Sequence, residues 1–177
     1  MKILFLYDYQ PENPKFPCTG FQYAAYNYTR ELRKLGHEVD ERNIFITKNY
    51  DKSYDFILIR GFWGELGYVQ ETNIPVVPYI TSDGVIPKQY IDIIEKKCVH
   101  VMTDSESTKS VFVRDGVPKD KVSVVYPCPD DNIFVPPENR SKSPKIIFTN
   151  FMHGGDRELI ESMPYIVKQI PDAILIL

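Results

Sequence analysis

The chain has 177 residues, enough for one full domain and the beginning of a second. Hydrophobic residues make up 43% of the chain and charged residues 25%, a balance that excludes a disordered protein. The formal net charge is -3, so the chain lacks the basic footprint that neutralises a phosphate backbone, and we expect no nucleic acid as its main partner.

The cysteines and the first residues indicate a cytoplasmic protein. Cys18, Cys98 and Cys128 are odd in number and far apart, which predicts neither a disulfide framework nor a zinc site. No apolar run approaches the roughly 20 residues of a membrane helix. The opening MKILFLYDY is short for a signal sequence and is followed by no small-residue cleavage site, so it reads as a first strand.

Apolar runs alternate with helical patterns along the first three quarters of the chain. A strand at residues 2–7 precedes a helix whose apolar positions include Phe21, Ala25 and Leu35, with Gln22 on its polar side and Gly36 as its stop. Further strands are predicted at 37–41, 56–59, 75–80, 99–102 and 122–125, with helices at 87–97 and around Val111. This alternation predicts an α/β fold, a six-stranded parallel sheet with helices on both faces.

The pattern restarts after a stretch rich in proline, serine and charge. We predict a first domain at 1–136, a linker at 137–144 and the truncated start of a second domain at 145–177. The second part reads as strand 145–149, helix 157–170 and strand 173–177, a partial α/β unit. Its exposed apolar surface predicts either pairing with the same segment of a second chain or folding back onto the first domain.

Ligands of open parallel sheets bind beyond the carboxyl ends of the strands, and this rule selects candidate site residues. Gly20 either lets a ligand approach the backbone or relieves a tight turn. The glycines around Trp63 indicate a flexible loop. We expect the site residues to line one cleft: Gly20, Arg60, Thr81, Asp83 and Ser105.

Two of these candidates have structural alternatives. Arg60 is a permanent cation that either binds an anion or pairs with a loop carboxylate such as Asp83. Residues 103–106 have capping-box spacing, so Ser105 either caps a helix or binds a ligand. The three histidines are scattered, and neither a catalytic triad nor a metal site is predicted.

The segment from Cys98 to Pro137 resembles the motif that closes the first domain of GT-B glycosyltransferases, family 4 in particular. A strand runs into a serine that opens a helix, followed by Gly-Val-Pro, a Lys-Val strand, and a turn in which Phe follows an Asp. The matching residues are Ser105, Gly116, Val117, Pro118, Lys121, Val122, Pro127, Asp131 and Phe134. Gly20 and Leu35-Gly36-His37-Glu38-Val39 are also similar to the family, whereas Thr81 replaces a common histidine.

The resemblance implies a Rossmann-like GT-B domain and a retaining transferase that moves a sugar from a nucleotide sugar to a sugar, lipid or other acceptor. The acceptor would bind in the first domain. Gly154 and Arg157 occupy the region that grips the donor diphosphate, although Phe151 and Gly154 replace the usual basic residues. The donor glutamates would lie beyond Leu177, so we expect the chain alone to be inactive.

The resemblance requires neither a metal nor a cofactor, because basic groups and a helix N-terminus can stabilise the leaving diphosphate. Peripheral membrane contact and a homodimer through residues 145–177 are further expectations. The alternative is a non-catalytic Rossmann-type binding or scaffolding module.

Overall fold

The computed structural model describes residues 1–13, 15, 17, 19–48, 50, 53–81, 84–127, 145–147, 156–171 and 173–176. The chain separates into two compact units, Met1–Asp130 and Asp131–Leu177. The predicted linker at 137–144 lies outside the described residues, so the domain boundary stays a prediction. No described helix is long and apolar enough to cross a membrane.

The first unit is built on six parallel strands in the order β2-β1-β3-β4-β5-β6. These strands are β1 Lys2–Tyr7, β2 Glu38–Asn43, β3 Phe56–Gly61, β4 Val76–Ile80, β5 Val101–Thr103 and β6 Val122–Val124. The central strands are buried on both faces, which is why they read as continuous apolar runs in the sequence. The predicted six-stranded parallel sheet is confirmed.

Helices cover both faces of this sheet, as predicted. They are α1 Gly20–Lys34, α2 Lys88–Lys97 and α3 Glu106–Arg114. Ala25 of α1 packs in a cluster with Ile3 and Phe5, while Ile94 of α2 and Phe112 of α3 pack in the larger cluster on the opposite face. Successive strand residues point to opposite faces, so the central strands β1 and β3 contribute to both clusters.

The helices α1 and α3 end in the same way. The glycines that follow them, Gly36 and Gly116, have φ of 83° and 113°, a conformation that favours glycine. His37 N–H bonds to Leu32 O and Val117 N–H bonds to Phe112 O, which closes a Schellman motif at each end.

Three sequence-based details were wrong. Leu35 was assigned to the buried face of α1 but is 73% exposed, because the chain turns away at Gly36. Gln22, assigned to the polar side, is only 2% exposed. The stretch around Trp63 forms a 3₁₀ helix, Trp63–Val69, rather than a flexible loop, because Leu66 and Val69 are completely buried.

The second unit contains the predicted strand, helix and strand. They are β7 Lys145–Ile147, α4 Asp156–Gln169 and β8 Ile174–Ile176, and the two strands pair in parallel. The predicted partial α/β unit is therefore confirmed.

Candidate functional site

The sheet register brings the ends of β3, β4 and β5, which precede or carry Arg60, Thr81 and Ser105, to one edge. Gly61 pairs with Ile80, and Ile80 pairs with Thr103, so the carboxyl ends of three neighbouring strands lie side by side. Thr81 follows β4 directly and is partly buried. That these positions line one cleft stays a prediction, since Asp83 lies outside the described residues.

Arg60 lies at the carboxyl end of β3 beneath the first turn of α1. Its Nε donates a hydrogen bond to the carbonyl oxygen of Phe21, 3.2 Å away. The guanidinium carbon lies 4.4 Å from the ring centre of Phe21 and 4.5 Å from that of Tyr79, a cation–π distance for both. These contacts join β3 to β4 and to the N-terminus of α1.

The Arg60 guanidinium is buried without a counter-ion among the described residues. The side chain is only 5% exposed, and its Nη1 is buried with no hydrogen-bond partner. No carboxylate of the described residues forms an ion pair with it. The salt bridge expected with Asp83 remains a prediction. Because Arg stays charged when buried, its unsatisfied donor is the main electrostatic feature of this edge.

The residues after β1 tie the first loop to α1. Gln22 Nε2 donates to Asp8 Oδ2 at 3.0 Å and to the Asp8 carbonyl at 3.1 Å, and Gln10 donates to Asp8 Oδ1. Gln22 is buried because its amide satisfies these acceptors. The sequence pattern missed it because only apolar residues were counted on the buried face, whereas that face runs through Gln22, Ala25 and Thr29.

Gly20 is not required by the backbone at its position. Thr19 is the N-cap of α1, and its Oγ1 accepts a hydrogen bond from Gln22 N–H. Gly20 does not have a positive φ, and a Cβ built there would meet nothing within 4 Å. Turn relief therefore does not explain this glycine, and its contact with a ligand stays a prediction.

Ser105 is the N-cap of α3. Its Oγ accepts a hydrogen bond from Thr108 N–H at 3.2 Å and lies 2.9 Å from Thr108 Oγ1. Thr108 Oγ1 in turn donates to Asp104 Oδ1 at 2.8 Å. Ser105 therefore caps α3, and its contact with a ligand stays a prediction. The capping box predicted for 103–106 is not formed, because Thr103 is still in β5.

The sequence analysis did not select two aromatic residues, Phe21 and Phe62, as candidate site residues. Phe62, directly after β3, stacks on Phe21 with ring centres 5.5 Å apart and planes inclined by 22°. Phe62 is 52% exposed, so it offers an aromatic surface next to the ring of Phe21, which also contacts Arg60. In the sequence, only the position of Phe62 directly after β3 could have pointed to a role at the site. Its stacking partner Phe21 lies in α1, far away in the sequence.

Gly61 gives room to the side chain of Glu65. A Cβ at Gly61 would lie 3.0 Å from Glu65 Cδ and Cγ. The Glu65 carboxylate accepts the backbone N–H of Phe62 at 2.8 Å and so fixes the start of the 3₁₀ helix. Burial raises the pKa of Glu65, while hydrogen bonds from backbone N–H groups oppose that rise.

The predicted donor-side residues belong to the second unit. Arg157 is the second residue of α4, while Gly154 lies outside the described residues. Within the described ranges, no three His, Cys, Asp or Glu side chains come together as metal ligands. Burial raises the pKa of the Cys98 thiol to about 12, so this cysteine is not a thiolate nucleophile.

No protein-family model and no curated protein match the chain. Three solved structures of Alr3699/HepE from Anabaena are similar in fold: the complex with UDP and glucose, the complex with UDP-glucose and the complex with UDP. Their TM-scores are 0.54, 0.52 and 0.53, their identities 13%, 11% and 10%. Each likeness covers 99% of this chain and 68% or 69% of HepE.

The predicted GT-B-like fold is confirmed. At these identities the likeness concerns the fold alone. In this GT-B-like sheet, the buried Arg60 and the exposed Phe62 lie at the carboxyl edge, where ligands of open α/β sheets bind.

Proposed function

We propose that the protein is a glycosyltransferase that moves a sugar from a nucleotide sugar to an acceptor. The likeness in fold to HepE, crystallised with UDP and with UDP-glucose, carries this proposal. The motif from Cys98 to Pro137 supports it independently, because that resemblance lies in the amino-acid sequence and not in the fold. UDP-glucose is therefore the first donor to test, and retention of the anomeric configuration is the finer expectation.

The first unit binds the acceptor at the carboxyl edge of its sheet. Arg60 and Phe62 form the centre of this proposed site, and Gly20, Thr81, Asp83 and Ser105 lie around it in the sequence-based scheme. The Asp8 carboxylate, held by two glutamine amides, is an oriented acceptor for a sugar hydroxyl. On the donor side, Gly154 and Arg157 bind the diphosphate.

A transfer assay tests this function. The protein expressed from its complete reading frame is incubated with UDP-glucose and a panel of sugar and lipid acceptors, and the release of UDP is measured. We expect release that depends on an acceptor and falls in an Arg60→Met variant. An Arg30→Met variant is the matched control, because Arg30 lies on the outer part of α1 and pairs with Glu31. Acceptor binding without transfer from any nucleotide sugar would favour the binding module instead.

The second unit also supports a homodimer. The α4 helix exposes Ile160 and Val167, Ile170 directly after it is also exposed, and exposed apolar side chains favour association. Sedimentation of the native chain and of an Ile160→Lys/Val167→Lys variant tests this pairing: we expect a dimer that the variant loses. A native chain that is monomeric at high concentration would contradict it.

Peripheral membrane contact is tested separately by flotation with anionic and neutral vesicles. A chain that binds neither kind of vesicle would contradict this contact.

A further inference from the structure

We propose that the acceptor is an anionic sugar whose carboxylate or phosphate binds Arg60 at the first turn of α1. This inference rests on the proposed function and adds the chemical class of the acceptor. Four observations carry it: the state of Arg60, the N-terminus of α1, the exposed ring of Phe62 and the Asp8 carboxylate bonded to α1.

The first observation is the electrostatic state of Arg60. Burying a cation is costly unless it is paired, and removal from water strengthens its attraction for an anion. The Phe21 carbonyl and the rings of Phe21 and Tyr79 compensate for part of this cost. Among the residues that the structure describes, Nη1 has no acceptor. A ligand carboxylate or phosphate oxygen is the group that would satisfy this donor.

The second observation is the terminus of α1. Backbone N–H groups at a helix N-terminus attract anions, and acidic side chains usually occupy the first turn. The 15-residue helix α1 has no acidic residue there. Thr19 accepts the N–H groups of Gln22 and Tyr23, and Arg60 is bonded to the carbonyl of Phe21 in the same turn. The first turn of α1 therefore carries no negative charge of its own and is in direct contact with the buried cation.

The third and fourth observations favour a sugar as the carrier of the anion. Phe62 stacks on Phe21 and keeps half of its surface exposed, so a sugar ring can pack its apolar face there. Asp8 accepts hydrogen bonds but donates none when ionised, which suits a hydroxyl group and repels a second anionic group. A single anionic group on an otherwise hydroxylated ring fits this combination.

A calorimetric titration tests the inference. The native chain is titrated with glucuronate, glucose 6-phosphate, glucose and UDP. We expect at least one anionic sugar to bind about tenfold to a hundredfold more tightly than glucose, the range of a hydrogen-bonded charge pair. The glucuronate and glucose 6-phosphate arms distinguish a carboxylate from a phosphate.

Substitutions at Arg60 identify the responsible cation. In Arg60→Met the preference for the anionic sugar should disappear, while Arg30→Met should keep it. Arg60→Lys should retain part of the preference, since it keeps the charge but not the planar donor set. Thermal unfolding of each variant checks its folding. If Arg60→Met does not fold, the Arg60 Nε–H resonance of the native chain should still shift with the anionic sugar and not with glucose.

Several results would overturn the inference. Equal affinities for glucose and both anionic sugars, a preference that survives in folded Arg60→Met, or an unmoved Arg60 resonance each contradict it. Loss of UDP binding alone in Arg60→Met would assign the cation to the donor diphosphate and also contradict it. Transfer to neutral acceptors only would leave the proposed function standing, whereas anionic-sugar binding without any transfer would keep the Arg60 site and reject the function.

Discussion

Gly61, at the end of β3, has little space for a side chain because Glu65 packs against it. Gly61→Ala would place a methyl group 3.0 Å from Glu65 Cγ and Cδ. Glu65 would have to leave the N–H of Phe62, so we expect the free energy of unfolding to fall by about 1–2 kcal/mol, the range of a lost cap with local overpacking.

Gly64 provides the matched control for this substitution. A Cβ there meets nothing within 4 Å and its φ is not positive, so Gly64→Ala should stay within about 0.5 kcal/mol of the native chain. Denaturant unfolding monitored by circular dichroism measures both. Equal stability of the two variants would show that Glu65 moves aside without cost.

Glu65 itself gives a prediction about pH. Its pKa is raised mainly by burial, so the folded chain holds this proton to a higher pH than the unfolded chain. The free energy of unfolding therefore falls as pH rises through that interval, and the penalty persists at neutral pH. Glu65→Gln keeps an oxygen that can accept the N–H of Phe62 but carries no charge.

We expect Glu65→Gln to be more stable than the native chain at pH 7, with the advantage shrinking as pH falls from the raised pKa of the folded chain towards about 4, the usual Glu pKa, and absent below it. Denaturant unfolding at a series of pH values measures this difference. Glu12→Gln, at an exposed position, controls for the loss of a negative charge. An advantage that is independent of pH, or that grows on acidification, would refute the burial explanation.

At the residue scale, the sequence located Arg60 but not its surroundings. The apolar run before it predicted a strand end, because strands buried on both faces have a clear boundary at the first charged residue. The rings of Phe21 and Tyr79 come from a helix and a strand distant in sequence, and no local pattern specifies that contact. Gln22 was assigned to the polar side of α1 for the same reason, since its hydrogen-bond partner Asp8 lies in the loop after β1.

At the scale of elements, α3 depends on its N-cap. Ser105→Ala removes the hydroxyl that accepts Thr108 N–H, and we expect a loss of about 1 kcal/mol in the free energy of unfolding. Ser110→Ala is the control, because its exposed hydroxyl only donates back to Glu106 O within the helix. Thermal unfolding compares the two variants. A Ser105→Ala chain as stable as Ser110→Ala would contradict the capping role.

Helices and strands were predictable where the spacing of apolar residues agreed with the position of a terminating glycine. Gly36 and Gly116 marked the ends of α1 and α3, because a residue with positive φ was needed there. The 3₁₀ helix Trp63–Val69 was not predictable from its three-residue glycine spacing, which also suits a mobile loop. Burial of Leu66 and Val69 against the sheet decides its conformation, and that is tertiary information.

At the scale of the whole molecule, the alternation of strands and helices was sufficient for the fold class. Parallel strands need crossovers, and short connections leave few arrangements for six strands. The strand order follows from the register, which a single sequence does not contain. The polar strand ends could be identified from the sequence, but the burial of Arg60 against Phe21 and Tyr79 is visible only in the packed structure.

The central claim is that a sugar acceptor binds at the carboxyl edge of the six-stranded sheet. The amino edge provides a rival position, a cavity of about 640 Å³ whose lining includes Tyr50, Tyr68 and Thr72. Titrating the ¹⁵N-labelled chain with glucuronate and with glucose, and mapping the shifted backbone amide signals, distinguishes the two edges. We predict shifts centred on Asp8, Phe21 and Phe62; shifts centred on Tyr50, Tyr68 and Thr72, or none with either sugar, would contradict the account.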